Sequence, residues 1–252
     1  LNQFNNITNK FTNYNAQYSQ SETAADNENK VRTIYQDNSN RLWIGTYGEG
    51  IELFDLKTET IIKTFKHDLK NPNSLINDRV TSITQDSSGY IWIGTYGGGL
   101  DQYWSHTQTF KHYTYDEKNQ SSINSNQIKY VYHDQMNSIC VGTEGGGVNV
   151  HFRASNKFKY YKKRNDSDNS LKSNIVLALL QDKDNLLWIG TGQGGLSTYN
   201  AETDTYQQYP KLSSSSNNSV LSLCEDNDGE IWVGTWGAGL FSYNTKTQKI
   251  KS

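Results

Sequence analysis

The sequence predicts an all-β chain folded as a β-propeller of four-stranded antiparallel blades, and three observations carry that prediction. First, one motif recurs five times: RLWIGTYGEGIELFD (41–55), YIWIGTYGGGLDQYW (90–104), SICVGTEGGGVNVHF (138–152), LLWIGTGQGGLSTYN (186–200) and EIWVGTWGAGLFSYN (230–244). Second, the anchor residues Trp43, Trp92, Cys140, Trp188 and Trp232 are 49, 48, 48 and 44 residues apart. Strand-rich units with a period of about 40 to 50 residues mark a propeller. Third, apolar residues nowhere follow the 3.6-residue spacing of a helix.

Each repeat divides into four strands. An aliphatic residue stands twelve positions before each anchor (Val31, Val80, Ile128, Val176, Val220), and an aspartate stands six before it (Asp37, Asp86, Asp134, Asp182, Asp226). The first strand runs between them, as in VTSITQD (80–86). Its apolar positions alternate imperfectly, which points to a bulge. A polar turn such as SSGY (87–90) or NDGE (227–230) follows, where Gly and Asn supply the positive φ of a hairpin. The second strand is the IWIGT run, apolar on both faces as a strand between stacked blades must be. After a glycine-rich loop come a third strand resembling LDQYW and a fourth resembling TFKHYTY (109–115).

The first residues enter the pattern part-way. LNQFNNITNKFTNY (1–14) aligns with LDQYWSHTQTFKHY (100–113), so it reads as the third and fourth strands of a blade. LFSYNTKTQKIKS at the other end runs into the fourth strand of the fifth repeat. The expected organisation is one domain over 1–252: a half blade at 1–16, then blades at about 29–76, 77–124, 125–172, 173–212 and 217–252. Repeats bury their faces only against neighbours. The expectation is therefore an arc of a larger ring, cut from a longer protein.

Composition agrees with a β domain and excludes several function classes. Apolar residues make up only 34%, offset by 12% aromatics, which bury much area per residue. A net charge of −2 gives no field to draw the chain to nucleic acid or an anionic membrane. No apolar run is long enough to span a bilayer, so no direct membrane insertion by this segment is expected. Cys140 and Cys224 are expected to be buried packing residues, too far apart to bridge. The five histidines show no ligand spacing, and no metal or other cofactor is expected.

Other motifs reduce to structure. GTYGGG and GTEGGG resemble phosphate-cradling loops, but they join strand to strand and offer no helix N-terminus. The recurring aspartate braces its turn by accepting backbone N–H groups. KFKYYKKR (157–164) mixes cations with aromatics as polyanion sites do. It also begins in an outer strand, where lysines block edge-to-edge pairing, and that reading is preferred. The sequons at Asn6, Asn119, Asn165 and Asn217 are expected by chance in so Asn- and Ser-rich a chain.

The pattern V-x-x-I-x-x-D-x-x-G-x-I-W-I-G-T-x-G-x-G-L, as in residues 80–100, resembles the two-component regulator propeller repeat. The resemblance covers essentially the whole chain, with Cys140 and Ser138 as departures in the third copy. It implies the periplasmic or extracellular propeller of a large bacterial membrane-spanning sensor, with a β-sandwich, a transmembrane helix and an output domain elsewhere in the parent protein. Many characterised members respond to glycans.

The candidate site lies where the copies differ. The residue after each G-T pair varies: Tyr47, Tyr96, Glu144, Gly192, Trp236. These loops share a face with the starts of the first strands, which carry Arg32, Arg79 and Lys129 in the first three blades. Aromatics there can stack on sugar rings, and arginines can hold carboxylates or sulfates. The predicted ligand-binding set is Tyr47, Tyr96, Glu144, Trp236, Arg32, Arg79 and Lys129. The expected function is a non-enzymatic sensing module for a glycan or other small molecule. Two alternatives stand: an interaction or dimerisation scaffold, with homodimers formed through the parent protein, and a polysaccharide lyase or hydrolase. A lyase needs a base such as Tyr96 beside a uronate-holding cation such as Arg79.

Overall fold

The structure is a computed structural model describing residues 2–5, 7–13, 31–152, 156–209 and 219–251. Every described element is a strand, a bridge or a turn. Strands β1 (Asn2–Asn5) and β2 (Lys10–Asn13) form an antiparallel hairpin. Residues 14–30 lie outside the described residues, and with them the end of the expected half blade.

Five four-stranded antiparallel sheets follow, each joined in simple up-and-down order. Blade one is β3 (Val31–Gln36), β4 (Arg41–Thr46), β5 (Ile51–Asp55) and β6 (Thr60–Phe65). Blade two is β7 (Val80–Gln85), β8 (Ile91–Thr95), β9 (Gly99–Trp104) and β10 (Thr109–Tyr113). Blade three is β11 (Ile128–His133), β12 (Ile139–Thr143), β13 (Val148–Phe152) and β14 (Lys157–Tyr161). Blade four is β15 (Val176–Gln181), β16 (Leu187–Thr191), β17 (Leu196–Asn200) and β18 (Thr205–Gln208). Blade five is β19 (Val220–Glu225), β20 (Glu230–Thr235), β21 (Leu240–Asn244) and β22 (Lys249–Lys251). The first strands of successive blades pack in the order β3, β7, β11, β15, β19. In every blade the register of the first strand shifts just after the aliphatic residue, as between Val80 and Ser82. The imperfect alternation in the sequence is this bulge.

A knob and a hole join each blade to the next. A Cβ added at Gly45, Gly94, Gly142 or Gly190 would come within 2.6–2.7 Å of Val80, Ile128, Val176 or Val220, respectively. The glycine of each IGT run therefore makes room for the first aliphatic of the following blade. At blade five the three nearest atoms that a Cβ on Gly234 would meet among the described residues all belong to its own blade's Ser222. The other end is the complement: Val31 is 40% exposed, whereas Val80, Ile128, Val176 and Val220 are fully buried. Among the described residues the two end blades thus keep one face open.

The aromatic anchors work in the same direction. Trp43 stacks on Phe65 of its own blade and meets Tyr103 of the next, with ring centroids 5.3 and 5.6 Å apart. Trp92 sits between Tyr113 and His151, and Trp188 between Tyr209 and Tyr243. All three tryptophans are at most 2% exposed. Trp232, on the open face of blade five, is 38% exposed. Blade three has Cys140 at this position, in one buried cluster with Tyr199 and the flanking Tyr161, whose ring centroids are 4.9 Å apart and hydroxyls 3.4 Å apart.

The six-residue spacing from aspartate to tryptophan has a second cause beyond bracing the turn. One oxygen of Asp37, Asp86, Asp182 and Asp226 accepts two backbone N–H bonds from the turn, and the other accepts the indole Nε1–H of the anchor at 2.6–2.9 Å. Burial raises the pKa of Asp37, but the bonds from Arg41 and Trp43 outweigh it and leave the carboxyl below its usual range. Asp134 has only the Cys140 thiol at 4.0 Å in place of an indole. There burial dominates and raises the carboxyl.

One cysteine departs from expectation. Cys140 is buried, but Cys224 is exposed. Cys224 pairs directly with Trp232 and so shares the sheet face that no described residue covers.

Candidate functional face

The glycine-rich loops hold their variable residues by backbone bonds to the following blade. Gly48 and Gly50 both donate to the Asp78 carbonyl, Gly97 and Gly99 to that of Asn126, and Gly145 and Gly147 to that of Asn174, all at 2.9–3.1 Å. The last glycine of each set adopts positive φ, and a Cβ on Gly50, Gly99 or Gly147 would lie within 2.5 Å of a carbonyl oxygen of Phe65, Tyr113 or Tyr161. Only glycine fits there. The loop thus fixes its neighbours by main-chain contacts and leaves the residue after G-T free to vary. Tyr47 bridges to Arg79, Tyr96 to Gln127 and Glu144 to Ile175, each pair crossing to the following blade. This brings the loops and the starts of the first strands together on one face.

Six of the seven predicted site residues form one continuous cluster across blades one to three. The Arg32 guanidinium lies over the Tyr47 ring, 4.9 Å from its centroid, and that of Arg79 lies 5.5 Å from the same centroid. The Tyr47 and Tyr96 rings are 6.2 Å apart. The Lys129 ammonium sits 4.6 Å from the Tyr96 centroid and 2.7 Å from a Glu144 carboxylate oxygen. The hydrogen bond from Lys129 holds the Glu144 carboxyl below its usual range. The Tyr96 hydroxyl also bonds to Glu144, which raises its pKa.

The charges of this cluster are unequally satisfied. Lys129 and Glu144 neutralise one another. Arg32 and Arg79 are exposed, and neither has an ion-pair partner among the described residues. The cluster is therefore an aromatic shelf carrying two guanidiniums with donors to spare. Each cation–π contact contributes about 0.5–1 kcal/mol at exposed sites, enough to orient the arginines but not to occupy their hydrogen-bonding edges. Trp236 stands apart. It holds the equivalent loop position in blade five, with its N–H bonded to the Ser219 carbonyl, and is 65% exposed. No ring or cation contact joins it to the six, because blade four presents Gly192 where a linking side chain would stand.

Sequence reasoning missed one buried polar pair. Asp101 is fully buried at the start of β9, its Oδ1 2.5 Å from His112 Nδ1, and its Oδ2 accepts the Ile76 N–H. His112 Nε2 is 2.9 Å from the Pro72 carbonyl. Both ring nitrogens face acceptors, a need only the imidazolium meets, and the bond to Asp101 raises the His112 pKa. Burial raises that of Asp101 despite the bond. The pair ties the strand edge to the connector between blades one and two. No group of three or more His, Cys, Asp or Glu converges as metal ligands among the described residues.

Known proteins resemble the chain in sequence and in shape. The family model for the two component regulator propeller matches residues 26–48, 74–97, 170–193 and 214–237. The extracellular domain of a putative hybrid two-component system from B. thetaiotaomicron superimposes with a TM-score of 0.77 at 26% identity, over 89% of this chain and 30% of that one. A second such extracellular domain from the same organism, of a putative one-component system, gives 0.57 at 18% identity, over 89% of this chain and 37% of that one. The chain thus spans about a third of the length of either protein. Virginiamycin B lyase of Staphylococcus aureus shares the fold, with a TM-score of 0.71 at 14% identity over 98% of this chain and 74% of the lyase. No curated protein matches the chain.

Proposed function

We propose that this chain, built from two-component regulator propeller repeats, is the extracytoplasmic ligand-sensing module of a bacterial signal-transduction protein, and that its ligand is an oligosaccharide carrying acidic groups. The likeness to the extracellular domain of a putative hybrid two-component system supports the sensor role and the location. The Arg32–Tyr47–Arg79–Tyr96 cluster is the observation that carries the ligand class. A sugar ring lies flat on Tyr47 or Tyr96 and buries its apolar face there. A uronate or sulfate on that sugar takes the open edges of Arg32 and Arg79 in charge-assisted bonds. Lys129 and Glu144, already paired, hold Tyr96 in place.

Binding rather than turnover is the reading the cluster favours. The Tyr96 hydroxyl donates to Glu144, and its raised pKa makes it a poor base. The shared fold of virginiamycin B lyase does not bear on this, because fold alone does not specify activity. The test is calorimetric titration with a panel of neutral and uronate-bearing oligosaccharides, with products assayed in parallel. Binding of an acidic member that Arg79→Ala weakens supports the proposal. Preference for neutral glycans, or turnover of any of them, overturns it.

A further inference from the structure

Residues 159–164 of the KFKYYKKR segment line a cavity that the proposed sensing face does not use. The cavity is about 490 Å³ and opens at the outer rim between blades three and four, within the size range of small-molecule sites. Lys162, Lys163 and Arg164 line it together with Tyr160, Tyr206 and Asp204. Edge protection accounts for Lys157 and Lys159, which lie in β14. It does not account for the three cations that follow the strand.

The other connectors show that the fold does not need these charges. The backbone N–H groups of His67, Tyr115 and Lys163 each donate to the side chain of Asp78, Asn126 or Asn174, at 2.6–2.7 Å. Those of Asp68, Asp116 and Arg164 each donate to a serine hydroxyl, Ser74, Ser122 or Ser170. The connectors are thus braced through main chain at equivalent positions, whatever side chain stands there. Two of them have Asp where the third has Arg164, and the positions of Lys162 and Lys163 are Lys66 and His67 in one and Thr114 and Tyr115 in the other. Only the third is cationic at all three.

The cations remain available. Lys162 and Lys163 have no ion-pair partner among the described residues, and Arg164 has only the exposed Asp166 at 3.3 Å. The Lys162 ammonium lies 4.8 Å from the Tyr160 ring centroid, and Tyr160 is 43% exposed. Asp204, the carboxylate of the cavity, is occupied by the Tyr199 hydroxyl at 2.8 Å. On the far side of Tyr160 and Lys162 a smaller cavity is lined by Asp116 and Glu117. An anion is therefore directed to the side facing blade four.

We propose that this rim cavity binds a phosphorylated or sulfated compound with a planar ring beside its anionic group. The oxyanion is held by Lys162, Lys163 and Arg164, and the ring lies against Tyr160. The proposal is independent of the sensing face. The test is titration of the whole chain, followed by calorimetry or chemical-shift change, with 4-nitrophenyl phosphate, 4-nitrophenyl sulfate and inorganic pyrophosphate. Saturable binding that Lys162→Ala/Lys163→Ala weakens about tenfold or more is expected. Lys70→Ala, in the connector between blades one and two, should leave it unchanged. Tyr160→Ala should weaken the two ring-bearing probes and spare pyrophosphate. A preference for the phosphate ester points to a phosphorylated ligand, and a preference for the sulfate ester to a sulfated one. No saturable binding at millimolar concentration overturns the proposal. So does binding that survives loss of both lysines, or that Arg79→Ala abolishes instead.

Discussion

The contact between each IGT glycine and the next blade's first aliphatic can be tested at Gly94. In Gly94→Ala the new methyl would lie 2.6 Å from Ile128 Cγ2 and 2.8 Å from Val131 Cγ2, both on buried residues of blade three. Neither atom is the end of a flexible chain, so the blades must part or the side chains must leave their rotamers. Overpacking of this kind costs about 1–3 kcal/mol. Removing a glycine from the unfolded chain returns about 0.4–1 kcal/mol. A net loss of roughly 1–2 kcal/mol should therefore appear as a lower midpoint in urea with an unchanged slope. The decisive arm is a double-mutant cycle with Ile128→Ala, which removes the obstructing atom at a cost of about 2–5 kcal/mol by itself. If the methyl and the side chain compete for one space, the double variant loses less than the sum of the two single losses. Gly234→Ala provides the contrast, because no described following blade obstructs its methyl, and only the Ser222 side chain of its own blade must give way. Strict additivity in the cycle, or equal losses at Gly94 and Gly234, would refute the knob-and-hole account.

Three further outcomes follow from the geometry. Trp92→Ala should cost about 3–5 kcal/mol through lost burial and the cavity left behind, and Cys140→Ala much less; equal losses in denaturant titrations would show that the two anchors do not hold equivalent places. The raised pKa of His112 means that its bond to Asp101 adds stability below the ordinary histidine pKa, and that this contribution fades as pH climbs through the folded-state value. Urea midpoints should therefore fall as pH rises above the ordinary histidine pKa in the wild type and change less in His112→Gln, whereas the same decline in both would place the titration elsewhere. Asp86→Asn should destabilise more than Asp134→Asn, because Asp86 accepts an indole N–H that Asp134 lacks; the reverse order in thermal melts would contradict the role assigned to that bond.

The repeat made the architecture legible for a physical reason. Each blade solves the same packing problem, so the residues that solve it recur: the knob at Val80, the hole at Gly94, the anchor at Trp92 and its acceptor at Asp86. Five copies turn a weak local pattern into a strong one, and even the bulge after Val80 shows as broken alternation. Not all of it was legible. The bond from Trp92 to Asp86 requires knowing that the hairpin brings residues six apart into contact, which spacing alone does not state. The exposure of Cys224 depends on what covers the last blade, and a local pattern cannot show that. The candidate site was readable where copies differ within a fixed frame. The backbone latches to Asp78, Asn126 and Asn174 fix the loops through main chain, so the fold does not dictate which side chains stand at Tyr47, Tyr96 and Glu144. The grouping stops short of Trp236 because the glycine of blade four breaks the series. Asp101 and His112 escaped notice because they belong to one blade only and carry no repeated signal.

Under the proposed function, Arg32 and Arg79, flanking Tyr47, are the anion-holding part of a glycan-sensing face. Its most direct test is the affinity for a uronate-bearing oligosaccharide at low and at high salt, for the wild type and for Arg32→Ala/Arg79→Ala. Wild-type affinity should fall as salt rises, through screening of exposed charges. The double variant should lose about 1–3 kcal/mol for each charge-assisted bond removed together with most of the salt dependence, while its urea midpoint stays near the wild type. An unchanged affinity in the double variant, with the salt dependence intact, would contradict it.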